Sequence, residues 1–179
     1  MNKGINQKDL KLRPLHSKDE KSFKEAVRVF KKEEPPFEFA FGFNEAECFD
    51  DYIKRLKNWS EGKELPAGWV PSTFLVGVVE GRIVGRISLR HCLNDFLEKV
   101  GGHIGYGVVP RKRNRSYATE MLKKSLPFCS SVGLKKVLIT CDTDNTGSER
   151  VIEKCGGIFE GITDDPELKV QKKRYWIHI

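Results

Sequence analysis

The chain has 179 residues, enough for one domain with a sizeable core, and a 39% hydrophobic content with 10% aromatics excludes a disordered polypeptide. Its first ten residues are polar and no apolar run approaches the ~20 residues of a membrane span, so a cytoplasmic protein without a membrane partner is expected. The net charge of +7 sits largely in Arg111–Arg115 and Lys172–Arg174, short clusters that suit a small polyanion as well as nucleic acid, while five scattered cysteines without a Cys-x-x-Cys pair predict neither a disulfide framework nor a metal site.

Leu10 to Leu15 alternates apolar and basic residues and predicts a short first strand ended at Pro14. Ser17 is the expected cap of a first helix. Asp19 and Glu20 complement its dipole, Phe23, Ala26, Val27 and Phe30 recur at helical spacing, and Glu34-Pro35-Pro36 stops it. A second helix is expected over Glu45–Trp59. Between them, the aromatic stretch Phe37–Phe43 reads as a core plug or a lid over a substrate cleft, the plug being preferred. Beyond Pro66, Thr73–Val79 and Arg82–Leu89 flank a Glu80-Gly81 turn as a hairpin. His103–Val109 predicts a third strand, Ser116–Ser131 a helix kinked at Pro127, Lys136–Cys141 a strand and Thr146–Cys155 a helix, with short strands over Ile158–Glu160 and Arg174–Ile179. Early hairpins followed by strand–helix alternation predict one α+β domain, residues 1–179, around a largely antiparallel sheet.

The informative segment is Val108-Val109-Pro110-Arg111-Lys112-Arg113-Asn114-Arg115-Ser116-Tyr117-Ala118, a strand running through a basic loop into a helix. Helix starts leave N–H groups unpaired and carry partial positive charge, so such a loop suits a pyrophosphate. Arg113-x-x-Ser116-x-Ala118 resembles the Arg/Gln-x-x-Gly-x-Gly/Ala pyrophosphate loop of the GNAT acyltransferase superfamily. His103 to Pro110 is similar to the strand before that loop, Ala118 to Leu122 to the helix after it, and Asp142 to Asn145, Ser148 and Val151 to Gly157 to the loop, helix and ending that follow. Arg90-His91-Cys92-Leu93-Asn94 and Lys173 to Ile177 resemble uncharacterised bacterial members.

The resemblance implies a sheet flanked by helices with two splayed central strands, and acetyl-CoA lying between them as co-substrate. It implies that the backbone of Val108 and Val109 faces the pantetheine, that the amides of Arg113, Asn114, Arg115, Ser116, Tyr117 and Ala118 hold the pyrophosphate, and that Asn145 bonds the cofactor's amide chain, unless Asn145 is an N-cap. Two positions depart from the family pattern: Ser116 replaces the loop glycine, and Ile152 replaces the tyrosine that protonates the leaving thiolate, leaving water, Ser148 or Tyr117 for that task, or a thiolate that departs unassisted. His103, with an ordinary pKa near 6.5, is the candidate general base, its other reading being structural. Arg90, His91 and Asn94 are candidates for lining the acceptor cleft. The expected activity is transfer of an acetyl group to an amine of a small molecule or peptide, and a homodimer stays open. The alternative is a non-catalytic acyl-CoA-binding module; a nucleic-acid partner ranks last, because no recognition-helix signature is present.

Overall fold

Strands β1 (Lys11–Pro14), β2 (Ser72–Val79), β3 (Arg82–Arg90) and β4 (Ile104–Val108) form one antiparallel sheet in that order, in a computed structural model that describes residues 9–35, 37–165 and 169–179. A second antiparallel sheet has the order β5 (Lys136–Asp142), β7 (Val170–His178), β6 (Ile158–Asp165). The β2–β3 hairpin turns at Glu80 and Gly81, both at positive φ, as the Glu-Gly turn predicts. One layer of helices, α1 (Glu20–Phe30) and α2 (Phe49–Ser60), covers one face of the first sheet. Helix α3 (Tyr117–Ser131) packs on its other face, and α4 (Thr146–Lys154) follows β5.

Each face has its own apolar cluster. Phe23, Phe30, Tyr52 and Trp59 pack against Phe74 and Val76 under α1 and α2, whereas Leu75, Ile87, Leu122, Ile139 and Ile152 pack around α3, β5 and α4. Alternation along β2 and β3 sends successive side chains to opposite clusters. Phe39 is buried and stacks on Phe30 at 4.9 Å, and Phe43 meets Phe23 edge-on at 5.1 Å, so the Phe37–Phe43 stretch is a plug in the first cluster. No helix among the described residues is long and apolar enough to cross a membrane.

Several boundaries differ from expectation for local reasons. Helix α2 starts at Phe49, not Glu45, because Asn44 Oδ1 accepts from Ala46 N and Glu47 Oε1 accepts from Asn44 N, a side-chain turn that competes with helix. The first helical turn is capped by His16, whose Nδ1 accepts from Lys18 N, and by Asp19, which accepts from His16 N. Ser17 donates instead to Asp50 at 2.6 Å. Helix α3 starts at Tyr117 after the left-handed Ser116 and ends at Ser131 as expected, with Pro127 inside it. Strands β6 and β7 extend well beyond the short runs expected, because their far ends pair polar residues such as Asp164 with Gln171, which hide the alternation.

Candidate active site

The two sheets are not joined by a continuous ladder. Val109 N–H donates to Val84 O and His103 O accepts from Arg90 N, so the odd-numbered residues of β4 bond to β3 and the backbone groups of Ile104, Tyr106 and Val108 point away from it. On β5, Ile179 N–H donates to Lys135 O and Thr143 N–H to Gln171 O, which leaves Leu138, Thr140 and Asp142 facing β4. The two free edges meet only at one end. There His103 N–H donates to Leu138 O at 2.7 Å, and Leu138 N–H donates to His103 Nδ1 at 2.9 Å. Gly102 precedes this latch at φ 63°, where a Cβ would lie 2.7 Å from Leu138 O. Beyond it no backbone hydrogen bond joins β4 to β5, and the gap between their facing edges is a candidate cleft that ends near the start of α3.

His103 is thereby placed at the closed end of the cleft in a structural role. Its Nδ1 lone pair is taken by Leu138 N–H, so the neutral ring carries its proton on Nε2 and offers no lone pair to an incoming amine. Burial first, and the charge of Arg90 second, push its pKa down to about 4. The expectation of a general base at His103 does not fit this geometry.

At the other end, a 3-10 turn over Pro110–Lys112 leads into two left-handed residues, Asn114 at φ 59° and Ser116 at φ 58°. This backbone turns successive N–H groups to one side. Among the described residues, the N–H groups of Asn114, Arg115, Ser116, Tyr117, Ala118 and Thr119 have no protein acceptor, the first bond of the helix being Glu120 N–H to Ser116 O. A concavity of unpaired amides at the start of a 15-residue helix attracts an anion. It is a backbone device: the Tyr117 side chain is buried, with the residue 2% exposed.

Two residues assigned to the cofactor by the sequence are otherwise engaged. Arg113 N–H donates to Pro110 O, while its side chain donates to Val108 O at 3.2 Å and pairs with Glu33 at the end of α1. Val109 donates to Val84 O and accepts from Lys112 N, leaving neither backbone group for a ligand. Val108 keeps its N–H toward the cleft. Asn145 caps α4, its Oδ1 accepting from Ser148 N at 3.0 Å, so only its Nδ2 is without a protein partner among the described residues.

Ile152 lies fully buried in the second cluster, and Tyr117 in a smaller one beside Met121, so neither brings a hydroxyl to the cleft. Tyr106 does. It projects from β4 toward the first turn of α4, its hydroxyl 2.7 Å from Ser148 Oγ and donating to Ser148 O at 3.2 Å. Burial raises its pKa above the ordinary tyrosine value, which keeps it a protonated O–H donor. Sequence reasoning missed this residue, because Gly105 and Gly107 on either side of it open the opposite face of the strand and give no sign of where the Tyr106 hydroxyl goes. Of the residues expected at the acceptor cleft, Asn94 bonds Gly68 O and Leu97 N, and His91 Nε2 lies 2.8 Å from Thr73 Oγ1. Arg90 reaches Gly101 O and Gly102 O at the cleft's closed end.

A sequence model described as an acetyltransferase (GNAT) domain matches residues 9–158. The chain belongs to the GNAT acetyltransferase family. A GNAT-family acetyltransferase from Bacillus anthracis superposes with a TM-score of 0.62 at 22% identity, each chain covered to 97%. Mycobacterium smegmatis RimJ, solved in complex with CoA-disulfide, gives 0.66 at 16% identity, with 94% of this chain and 81% of that one covered. The yncA protein of Salmonella typhimurium, solved with its cofactor acetyl-CoA, gives 0.61 at 11% identity over 95% of this chain and 94% of its own. At these identities the likeness is one of GNAT fold alone. No curated protein matches the chain at the threshold applied.

Proposed function

We propose that this GNAT chain transfers an acetyl group from acetyl-CoA to an amine. The observation that carries the reading is the row of unpaired amides from Asn114 to Thr119 opening onto the end of an unpaired strand edge. A pyrophosphate fits the first and an amide-bearing pantetheine fits the second, because each supplies the partners those backbone groups lack. Acetyl-CoA, when bound, supplies an acyl thioester whose carbonyl carbon is open to attack by a neutral amine, with release of the thiolate. Asn114 to Ala118 would hold the phosphates through their amides, the exposed Arg115 adding charge, and the N–H groups of Tyr106 and Val108 would face the pantetheine. Tyr106, kept protonated by burial and oriented by Ser148, is the hydroxyl suited to hand a proton to the leaving sulfur.

No proton-accepting role falls to His103 in this scheme. The amine's proton leaves through solvent, and the rate should rise with pH as the neutral amine becomes populated, since an amine of pKa near 10 is almost wholly charged at pH 7. The test combines binding and turnover. Acetyl-CoA at about 100 times its dissociation constant should stabilise the fold by roughly 2.7 kcal/mol, and thiol release should follow with members of an amine panel. Replacing Arg115 with Gln should weaken CoA in a salt-dependent way and leave dephosphorylated pantetheine fragments unaffected. No thermal shift and no heat of binding with acetyl-CoA would remove the cofactor assignment. The buried Ile152 supports one second reading, an acyl-CoA-binding module without catalysis, which predicts the thermal shift with no thiol release from any amine.

A further inference from the structure

Strand β3 runs through the middle of the first sheet and carries Arg86, Ser88 and Arg90 on one face, alternating with the apolar Ile87 and Leu89 that turn to the α3 side. Arg86 and Ser88 are 3% and 4% exposed. The Arg86 guanidinium lies 4.7 Å from the ring centroids of both Phe37 and Phe41, and its Nη2 donates to Glu38 O at 2.8 Å. Its Nη1 donates to Gly105 O at 3.0 Å and to Ser88 Oγ at 3.3 Å. Arg86 Nε, however, is buried with no partner, as is the hydroxyl of Tyr52, which reaches the same cluster from α2. Arg90 spends Nη1 on Gly101 O and Gly102 O; its Nε and Nη2 have no protein acceptor among the described residues.

Neither arginine has a carboxylate within ion-pair distance among the described residues. Burial first, and the charge of Arg90 second, push the Arg86 pKa down to about 9, which Glu38 offsets only in part, and burial lowers that of Arg90. A charge buried without a counter-ion is strongly unfavourable, so the arrangement is complete only when an anion joins it. The place for it is defined by Gly105 on β4. A Cβ built there would lie 3.6 Å from Arg86 Nη1, from Arg90 Nη1 and from Ser88 Oγ, so the glycine leaves these groups uncovered; both Nη1 atoms already donate to carbonyls, and the donors left for an anion are Arg86 Nε and the Nε–Nη2 fork of Arg90. That space lies on the α1–α2 face of the sheet, opposite the face on which the Tyr106 side chain packs, and away from the amide loop at Asn114–Thr119 that suits the pyrophosphate.

We propose that Arg86, Ser88 and Arg90 bind a carboxylate of the amine acceptor, which makes the acceptor an amino acid or a closely similar amine bearing a carboxylate near its nitrogen. This inference rests on the acetyl-transfer reading and names the substrate class of that same site. The forked donors of arginine match a planar carboxylate, and Arg90 keeps its Nε–Nη2 fork free for one. Phe37 and Phe41, which bracket Arg86, would exclude water and strengthen the contact.

The test uses the full chain and matched probes: L-amino acids and the corresponding L-amino acid amides, among them glycine and glycinamide, and phenylalanine and phenylalaninamide. In acetyl-CoA-dependent thiol release, at least one acid should exceed its amide in kcat/KM by about tenfold or more. Arg90→Gln should bring that ratio close to one, Arg90→Lys should restore part of it, and calorimetry should show acetyl-CoA binding unmoved in both. Ser88→Ala provides a milder variant should Arg86→Gln fail to fold. In parallel, the acids should raise the melting temperature of the protein more than the amides do, with CoA present and with CoA absent. Equal turnover and equal melting shifts for acids and amides, or a ratio that survives Arg90→Gln, would overturn the proposal. A protein that ignores acetyl-CoA altogether would sink the acetyl-transfer reading instead, and the melting comparison of acids with amides would still decide the carboxylate site.

Discussion

The latch at His103 makes a prediction that separates structure from catalysis. His103 is 6% exposed, and its Nδ1 accepts Leu138 N–H, so protonation would set a new N–H against an existing one. Its pKa drops from the ordinary 6.5 to about 4 in the fold. Between those values the unfolded chain binds the extra proton and the folded chain does not, so the stability is complete above pH 6.5 and falls as the pH drops toward 4. The full shift corresponds to about 3 kcal/mol, and about 2 kcal/mol is expected once solvent screening is allowed for. His103→Asn places an amide oxygen near the Nδ1 position and cannot titrate, so it should keep most of the stability at pH 8 and lose the acid limb. His103→Ala should cost about 1 to 3 kcal/mol at pH 8, because Leu138 N–H loses its acceptor in a buried setting. Urea titrations of the three proteins at pH 8, 6 and 5 give the comparison directly. An acid limb of the same size in His103→Asn would refute the linkage. A loss of 10² to 10⁴ in turnover by His103→Asn with acetyl-CoA affinity intact would return the base role to this residue.

At Ser116 a serine occupies a left-handed conformation that costs a non-glycine residue about 1 to 2 kcal/mol, of which glycine's greater freedom in the unfolded chain offsets about 0.5 to 1. Ser116→Gly should therefore gain about 0.5 to 1 kcal/mol by denaturant melts and hold CoA as tightly or more so, whereas β-branched Ser116→Val should lose stability; a destabilised glycine variant would contradict the strain assigned to the loop. Tyr106→Phe should lower kcat by about 10² while shifting the acetyl-CoA dissociation constant less than about threefold, as measured by stopped-flow thiol release and calorimetry. Unchanged turnover would mean that the thiolate leaves unaided.

The order of elements was legible because each is carried by short-range signals: Glu80-Gly81 for the hairpin, Phe23 to Phe30 for the first helix, and the run from Val108 to Ala118 for the strand, basic loop and helix. The loop's position was equally legible, but the direction of its groups was not. Arg113 reads as a phosphate ligand only until its long side chain finds Glu33, eighty residues earlier in the chain, and Val109 reads as cleft-facing until the β3–β4 register assigns its N–H to Val84. A shift of one residue reverses which edge a strand's backbone groups address, and sequence does not fix that parity. His103 shows the same limit. Its place at a strand start was evident, yet its role depends on Leu138, from a strand that forms no ladder with β4. Arg86 left a readable trace, a charged residue inside the apolar run from Ile83 to Leu89, and its meaning needed the partners that converge on Gly105.

These features lie along one path and share one energetic character. The unpaired amides of Asn114 to Thr119, the free edge groups of β4 and β5, the left-handed Asn114 and Ser116, and the uncompensated Arg86 and Arg90 each make the ligand-free fold less stable than a closed alternative would be. Pairing β4 with β5 along their whole length would satisfy the edge groups and abolish the cleft. The chain instead limits their contact to His103 and Leu138 and spans the open part with Tyr106 and Ser148. Under the proposed acetyl transfer, the pyrophosphate and pantetheine of acetyl-CoA would meet the unpaired amides and the free strand edges, and the acceptor's carboxylate would meet Arg86 and Arg90. Ligand binding should then stabilise the protein most where it is now least satisfied, so the melting shift with acetyl-CoA should shrink when the free groups it would pair are removed.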